Sequence, residues 1–167
     1  MTSLSWDRHK GHAFGYDVVE TGFNYRLDEP RATLAAALLA KLDEANARRA
    51  ALDRLYREAI AGVPAVTAAL PPRRGAKPAH HLFAVVVAEG GDRDAVRRHM
   101  HEAGVQTSLH YPPAHLFSTY ARPEISLPLT EAYARRAITL PLFPHMSEEQ
   151  LGIVVDALSE AVGRAGG

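Results

Sequence analysis

From Asp28 to Ala61 the chain contains no glycine, and its single proline, Pro30, falls where a first helical turn would be. Proline costs little there, because the N–H it lacks has no partner at a helix start. Leu34, Leu38, Leu42, Ala45, Leu52, Tyr56 and Ile60 recur at intervals compatible with 3.6 residues per turn. Lys41, Glu44, Arg48 and Asp53 fall on the opposite face. Asp28 suits an N-cap and Glu29 the positive end of the helix dipole. Gly62 and Pro64 close the run. The spacing predicts one long helix over 28–62, about 50 Å in extent at 1.5 Å per residue. A helix of that length with an apolar stripe must find something to pack against.

The flanks differ sharply in character. Residues 1–27 mix Trp6, Phe14, Tyr16, Phe23 and Tyr25 with Gly11, Gly15 and Gly22, and read as an irregular segment. Residues 63–79 hold Pro64, Pro71, Pro72 and Pro78 with Arg73, Arg74 and Gly75, and read as a loop. Over 80–167 strand and helix patterns alternate. His81–Ala88 is β-branched and almost continuously apolar, as a buried strand would be. Asp92–Ala103 reads as a helix stopped by Gly104, Val105–Tyr111 as a second strand, and Thr130–Ala137 as a short helix. Ile138–Phe143 reads as a third strand and Ser147–Val162 as a final helix. Ser147 and Gln150 have the capping-box spacing, and Ile153, Val154, Ala157, Leu158 and Ala161 supply the apolar stripe. The expected order is a long helix followed by a β-α-β-α-β-α small α/β domain.

Composition narrows the function classes. A chain of 167 residues buries roughly 70% of its unfolded surface and needs no staples. The absence of cysteine excludes a disulfide framework, a thiolate zinc site and a catalytic thiol. Nineteen basic residues against nineteen acidic ones argue against a broad nucleic-acid footprint. The apolar stretches fall far short of the roughly 20 residues that span a bilayer. The N-terminus lacks the apolar core of a leader. These features predict a cytoplasmic protein with neither nucleic acid nor membrane as partner.

The nine histidines raise the question of a metal. His80 and His81 are adjacent and on a strand point to opposite faces. His99 and His101 lie two apart on a helix and cannot chelate one ion. His110 and His115 flank a proline turn, without a nearby Asp, Glu or Cys in sequence to complete a zinc shell. There is no Walker A and no G-x-G-x-x-G, and no G-x-S-x-G surrounds any serine. Gly22-Phe23-Asn24-Tyr25-Arg26 directly precedes a helix start, where an amide donor, a guanidinium and the helix dipole suit a phosphate. The same residues also serve ordinarily as caps and turn formers.

Several segments read together resemble one family. Gly22-Phe23-Asn24-Tyr25-Arg26-Leu27-Asp28-Glu29 and the Ala/Leu-rich run into Lys41-Leu42-Asp43-Glu44 and Arg48-Arg49 resemble the G-x-N-Y-R segment and following helix of the DegT/DnrJ/EryC1/StrS pyridoxal-phosphate-dependent sugar aminotransferases. His110-Tyr111-Pro112-Pro113-Ala114-His115 resembles the family's H-Y-x-P-hydrophobic-H, with alanine where larger aliphatics are common. Pro128 with Glu131 resembles its P-x-x-E stretch. Leu140-Pro141-Leu142-Phe143-Pro144-His145-Met146-Ser147 resembles its L-P-L-x-P-x-M-S/T ending.

The resemblance is to the family's C-terminal part. It implies the small C-terminal domain of the aspartate-aminotransferase-like fold (fold type I), with pyridoxal 5'-phosphate as the family's cofactor and a keto-sugar nucleotide as its substrate. It implies that Asn24 reaches the cofactor phosphate of a neighbouring subunit, and that His110, Tyr111 and Arg26 lie toward the nucleotide sugar. It further implies a homodimer, or pairing with a chain that carries the large domain.

The family's Schiff-base lysine lies upstream of the N-Y-R segment. A lysine in that role must be a desolvated nucleophile in a cofactor pocket. The chain's three lysines are Lys10, Lys41 and Lys77, and none matches that position. The expectation is therefore a family member without its own nucleophile, inactive alone. The alternatives are a non-catalytic relic or regulatory module that pairs with a full-length homologue, and a ligand or metal module built on His110 and His115.

Overall fold

The computed structural model describes residues 25–71, 75–120, 122 and 124–165. The chain divides into two units, Met1–Leu39 and Ala40–Gly167. In the first, α1 spans Glu29–Leu39. The Asp28 side chain accepts the Arg31 N–H at 2.9 Å and pairs with its guanidinium at 3.3 Å, as a capping residue should. No α1 residue is buried, and Leu34, Leu38 and Leu39 are 60%, 59% and 67% exposed.

The second unit begins its helical structure with α2, Leu42–Ile60. The expected single helix is thus two, separated by Ala40 and Lys41. Lys41 sits at φ −98°, ψ −4°, well off the helical ψ near −42°, and no side chain caps α2 there. Neither glycine nor proline marks this break. Alanine and lysine are both strong helix formers, so propensity alone does not reveal it.

β1 (Val66–Ala68), β2 (Phe83–Val87) and β3 (Ala137–Leu140) form an antiparallel sheet in that order. Val66 faces Val87 at one seam, and Phe83 faces Leu140 at the other. β2 alternates as a half-covered strand does, with Phe83, Val85 and Val87 buried, whereas all of β3 is buried. Between β2 and β3 come α3 (Arg93–Glu102), a 3-10 turn (Ala114–Leu116) and α4 (Pro128–Arg136). α5, Glu148–Ala165, follows β3 and packs on both α2 and α3.

Two strand expectations need correction. The 63–79 stretch, expected as a loop, supplies the edge strand β1. Three residues hemmed by Pro64 and Pro71 are too few for an alternating pattern to register. Conversely, Val105–Tyr111 is not a strand. Only Ser108 pairs, exchanging both backbone hydrogen bonds with Thr139 at 2.9 and 3.1 Å. Upstream, Thr107 is drawn to Arg97 by its hydroxyl and its carbonyl. Downstream, Pro112 and Pro113 remove two donors from the ladder. The order is therefore β-β-α-α-β-α, not a strict alternation.

The core joins Leu52, Tyr56 and Ile60 of α2 to Phe83 and Val85, to Ile138 and Leu140, and to Met100, Met146 and Leu158. Tyr56 stacks on Phe83 with ring centroids 4.7 Å apart, and its hydroxyl donates to the Pro141 carbonyl at 2.8 Å. That donor explains why a phenol is tolerated inside, and burial pushes its pKa upward. Asp53, placed by periodicity on the polar face, is buried instead. Its carboxylate meets Arg57 at 2.8 Å and His80 at 3.5 Å. Arg57 reaches on to the Leu70 carbonyl and lies over the Phe83 ring, so this cluster fastens the segment between β1 and β2. Ile153 departs the other way. Its spacing places it on the apolar stripe of α5, yet it is 54% exposed.

The helix ends match their sequence signals. Asp92 accepts the N–H groups of Asp94 and Ala95 at the start of α3. Ser147 and Gln150 make both reciprocal capping-box bonds, at 2.9 and 3.1 Å. Gly104, at φ +81°, ends α3 in a conformation that favours glycine.

Candidate functional site

Two of the concavities in the second unit compete for attention. The larger, about 420 Å³, is lined by Gln106, Thr107, Ser108, Phe143, Gln150 and Ile153 among others, without a charged side chain. The smaller, about 210 Å³, is walled by His110, Tyr111, Pro112, Pro113, Arg93 and Glu131, with apolar cover from Leu116 and Tyr133. Size favours the first, but chemistry favours the second. The smaller one gathers titratable and cationic groups from the motif loop, from α3 and from α4, and specificity comes from such convergent polar groups.

The loop is built by its prolines. Ser108 is pinned to β3, and the backbone then leaves the sheet through Leu109, His110 and Tyr111 into Pro112-Pro113. His110 Nδ1 lies 3.1 Å from the Thr139 hydroxyl and 3.3 Å from that of Ser108. The His110–Tyr111 peptide is cis, and the two rings meet edge-on with centroids 4.8 Å apart. Tyr111 is 71% exposed. Pro113 begins the 3-10 turn that carries His115 inward.

His115 is 8% exposed in its side chain, and its Nε2 lies 3.0 Å from Glu131 Oε1. A carboxylate only accepts, so Nε2 carries the proton. The same oxygen accepts the Leu127 N–H at 3.0 Å, and Arg135 approaches the other oxygen at 3.9 Å. The Leu127 N–H, and after it His115, hold the Glu131 carboxyl below the usual carboxylate range. On the far wall Arg93 donates to the Ala134 and Ala137 carbonyls, at 3.1 and 3.4 Å. Its Nε stands 2.6 Å from Asp94 Oδ1, yet is buried outside hydrogen-bond geometry.

Of the sequence-predicted residues, His110 and Tyr111 share this concavity. Arg26 is exposed and belongs to the first unit. Asn24 and Lys10 lie outside the described residues. His110 and His115 are committed to separate partners, Thr139 and Glu131, and no group of three His, Cys, Asp or Glu residues suited to a metal occurs among the described residues. Arg93 escaped sequence reasoning altogether. Glu131 entered it only through the P-x-x-E likeness, because its partner is sixteen residues away.

Lys41 and Lys77 are both exposed. A Schiff base needs a desolvated amine, so the described residues do not fit covalent attachment of pyridoxal phosphate. No helix among the described residues is long and apolar enough to cross a membrane.

Comparison with known proteins matches residues 1–159 to the DegT/DnrJ/EryC1/StrS aminotransferase family. Among solved structures, DesV of S. venezuelae, determined in complex with a ketimine intermediate, is 37% identical with a TM-score of 0.77, over 95% of this chain and 43% of its own. A DegT DnrJ EryC1 StrS aminotransferase from Brucella abortus is 27% identical with a TM-score of 0.75, over 89% and 39%. The aminotransferase TlmJ from Streptoalloteichus hindustanus, at 24% identity, shares the fold with a TM-score of 0.81, over 92% and 42%. The chain thus spans about 40% of the length of these structures.

Proposed function

The chain belongs to the DegT/DnrJ/EryC1/StrS aminotransferase family, and from that premise we propose that it is the C-terminal part of a sugar aminotransferase. Its substrate is a keto-sugar nucleotide, and the lysine and most of the cofactor pocket come from a large domain outside this chain. The observation that carries this reading is the H-Y-P-P-A-H loop, folded with Glu131 and Arg93 into one walled concavity. The likeness to family structures over about two-fifths of their length supports it.

In this reading Tyr111, exposed at the loop tip, and His110 beneath it face the nucleotide sugar. Asn24 donates its amide to the cofactor phosphate of a neighbouring subunit, and Arg26 lies toward the nucleotide sugar. The chain works as one half of a pair, a homodimer or a complex with a large-domain-bearing chain, in the cytoplasm. The bare apolar surface of α1 supports a pairing role. Alone, the chain does not transaminate.

Reduction with borohydride in the presence of pyridoxal phosphate tests the last point. The expected result is no stoichiometric adduct on any lysine, and a trapped adduct on one specific lysine overturns it. Mixing the chain with a family large domain should restore amino transfer to a nucleoside-diphosphate keto-sugar. In that mixture Asn24→Ala should weaken cofactor retention, and unchanged retention removes the role given to Asn24.

A further inference from the structure

The H-Y-P-P-A-H loop is weakly tied by its own backbone. After Ser108, the backbone hydrogen bonds of the loop among the described residues stay inside it, from Leu116 to Pro113 and from Phe117 to Ala114. Pro112 and Pro113 have no N–H to offer. Among the described residues, two side chains hydrogen-bond it to the rest of the unit. His110 rests on Thr139 of β3, and His115 on Glu131 of α4. Tyr111 lies between these two anchors, edge-on to His110.

The anchors are unequal. His110 meets a neutral hydroxyl, whereas His115 donates to a carboxylate, and charge-assisted bonds are roughly twice as strong. The carboxylate is itself immobilised, because one oxygen accepts both Leu127 N–H and His115, while Arg135 stands near the other. We propose that Glu131 is a positioning residue: through His115 it fixes the loop that presents Tyr111 and His110 at the mouth of the concavity. This deepens the proposed function, since the loop is the part assigned there to the nucleotide sugar.

The rival role for Glu131 is local. Its bond to Leu127 N–H also satisfies a donor at the start of α4, and that alone explains a glutamate at this place. The two roles separate in the ring resonances of the full chain labelled at Tyr and His. The edge-on contact of Tyr111 and His110 should give both rings ring-current-shifted signals. In Glu131→Ala and in His115→Ala those signals should move to the same unshifted positions, and the double variant should move them no further. Tyr56, stacked on Phe83, reports that the core is intact.

Unmoved Tyr111 and His110 signals in either variant overturn the proposal, and so do additive displacements. If Glu131→Ala loses the Tyr56 signature, His115→Ala decides, because it leaves the Leu127 bond in place. The readout involves no amino transfer. A failed reconstitution therefore counts against the aminotransferase reading and not against Glu131, while unmoved rings count against Glu131 and not against that reading.

Discussion

α1 and α2 come from the same glycine-free run, yet they meet opposite fates. α2 buries Leu52, Tyr56 and Ile60, whereas α1, with three leucines and four alanines and glutamate, proline, arginine and threonine among them, buries nothing. Propensity does not separate them, because both are rich in strong helix formers. What separates them is a covering surface. α2 has β1 and α5 against it, and its apolar stripe becomes core. An eleven-residue helix with no buried residue of its own is marginal in water.

Substitutions in α2 should give the largest effects. Leu52 is wholly buried in the shared core, so Leu52→Ala should cost about 2–5 kcal/mol of unfolding free energy. Urea denaturation followed by circular dichroism measures it. A loss under about 1 kcal/mol would mean that α2 is not packed as described.

Tyr56→Phe comes next. It keeps the stack on Phe83 and deletes the hydroxyl, leaving the Pro141 carbonyl without its donor. The expected cost is about 1–3 kcal/mol, the penalty of an unsatisfied buried polar group. If the variant is as stable as the parent, solvent or another donor reaches Pro141.

Acid sensitivity should be smaller, and its sign follows from the carboxylates of the second unit. Asp92 is held low chiefly by the Ala95 N–H, with Asp94 N–H, Arg98 and Arg93 assisting, and Glu131 by the Leu127 N–H and His115. Folded-state values below the unfolded ones make these groups stabilising above the ordinary carboxylate range, near about pH 4. Their contribution fades as pH falls through the lower folded values, and nothing changes between neutrality and that range on their account. Asp92→Asn keeps a capping oxygen that does not titrate. Its stability should therefore decline less steeply on the acid side than the parent's, and identical acid limbs would remove Asp92 from the account.

The same contrast marks what could be read from the residues. Capping signals were legible because they are local: Asp28, Asp92 and the Ser147–Gln150 pair all make the bonds their spacing implies. So were the apolar stretches that became β2 and β3. Features decided by distant partners were not. β1 exists because β2 lies beside it, and Asp53 is tolerated inside because Arg57 pairs with its carboxylate, with the His80 ring 3.5 Å away. The site divides likewise. His110 and Tyr111 are visible in a contiguous motif, while Arg93 and Glu131 reach the same concavity from two helices.

The smallest expected effect tests the comparison most directly. Leu38 has the same residue type as Leu52 and sits in the same run, but is 59% exposed. Leu38→Ala removes little burial and trades one good helix former for a better one, so unfolding free energy should change by no more than about 0.5 kcal/mol. Measured in dilute solution, a loss comparable to that of Leu52→Ala would show that α1 is covered there. Repeating the measurement at rising protein concentration then identifies the cover. If the Leu38→Ala deficit grows with concentration, a second copy supplies the surface that α2 finds within its own unit, because association stabilises by mass action. A concentration-independent deficit would instead place the cover within the chain itself, and the difference between the two helices would lie in strength of packing and not in its presence.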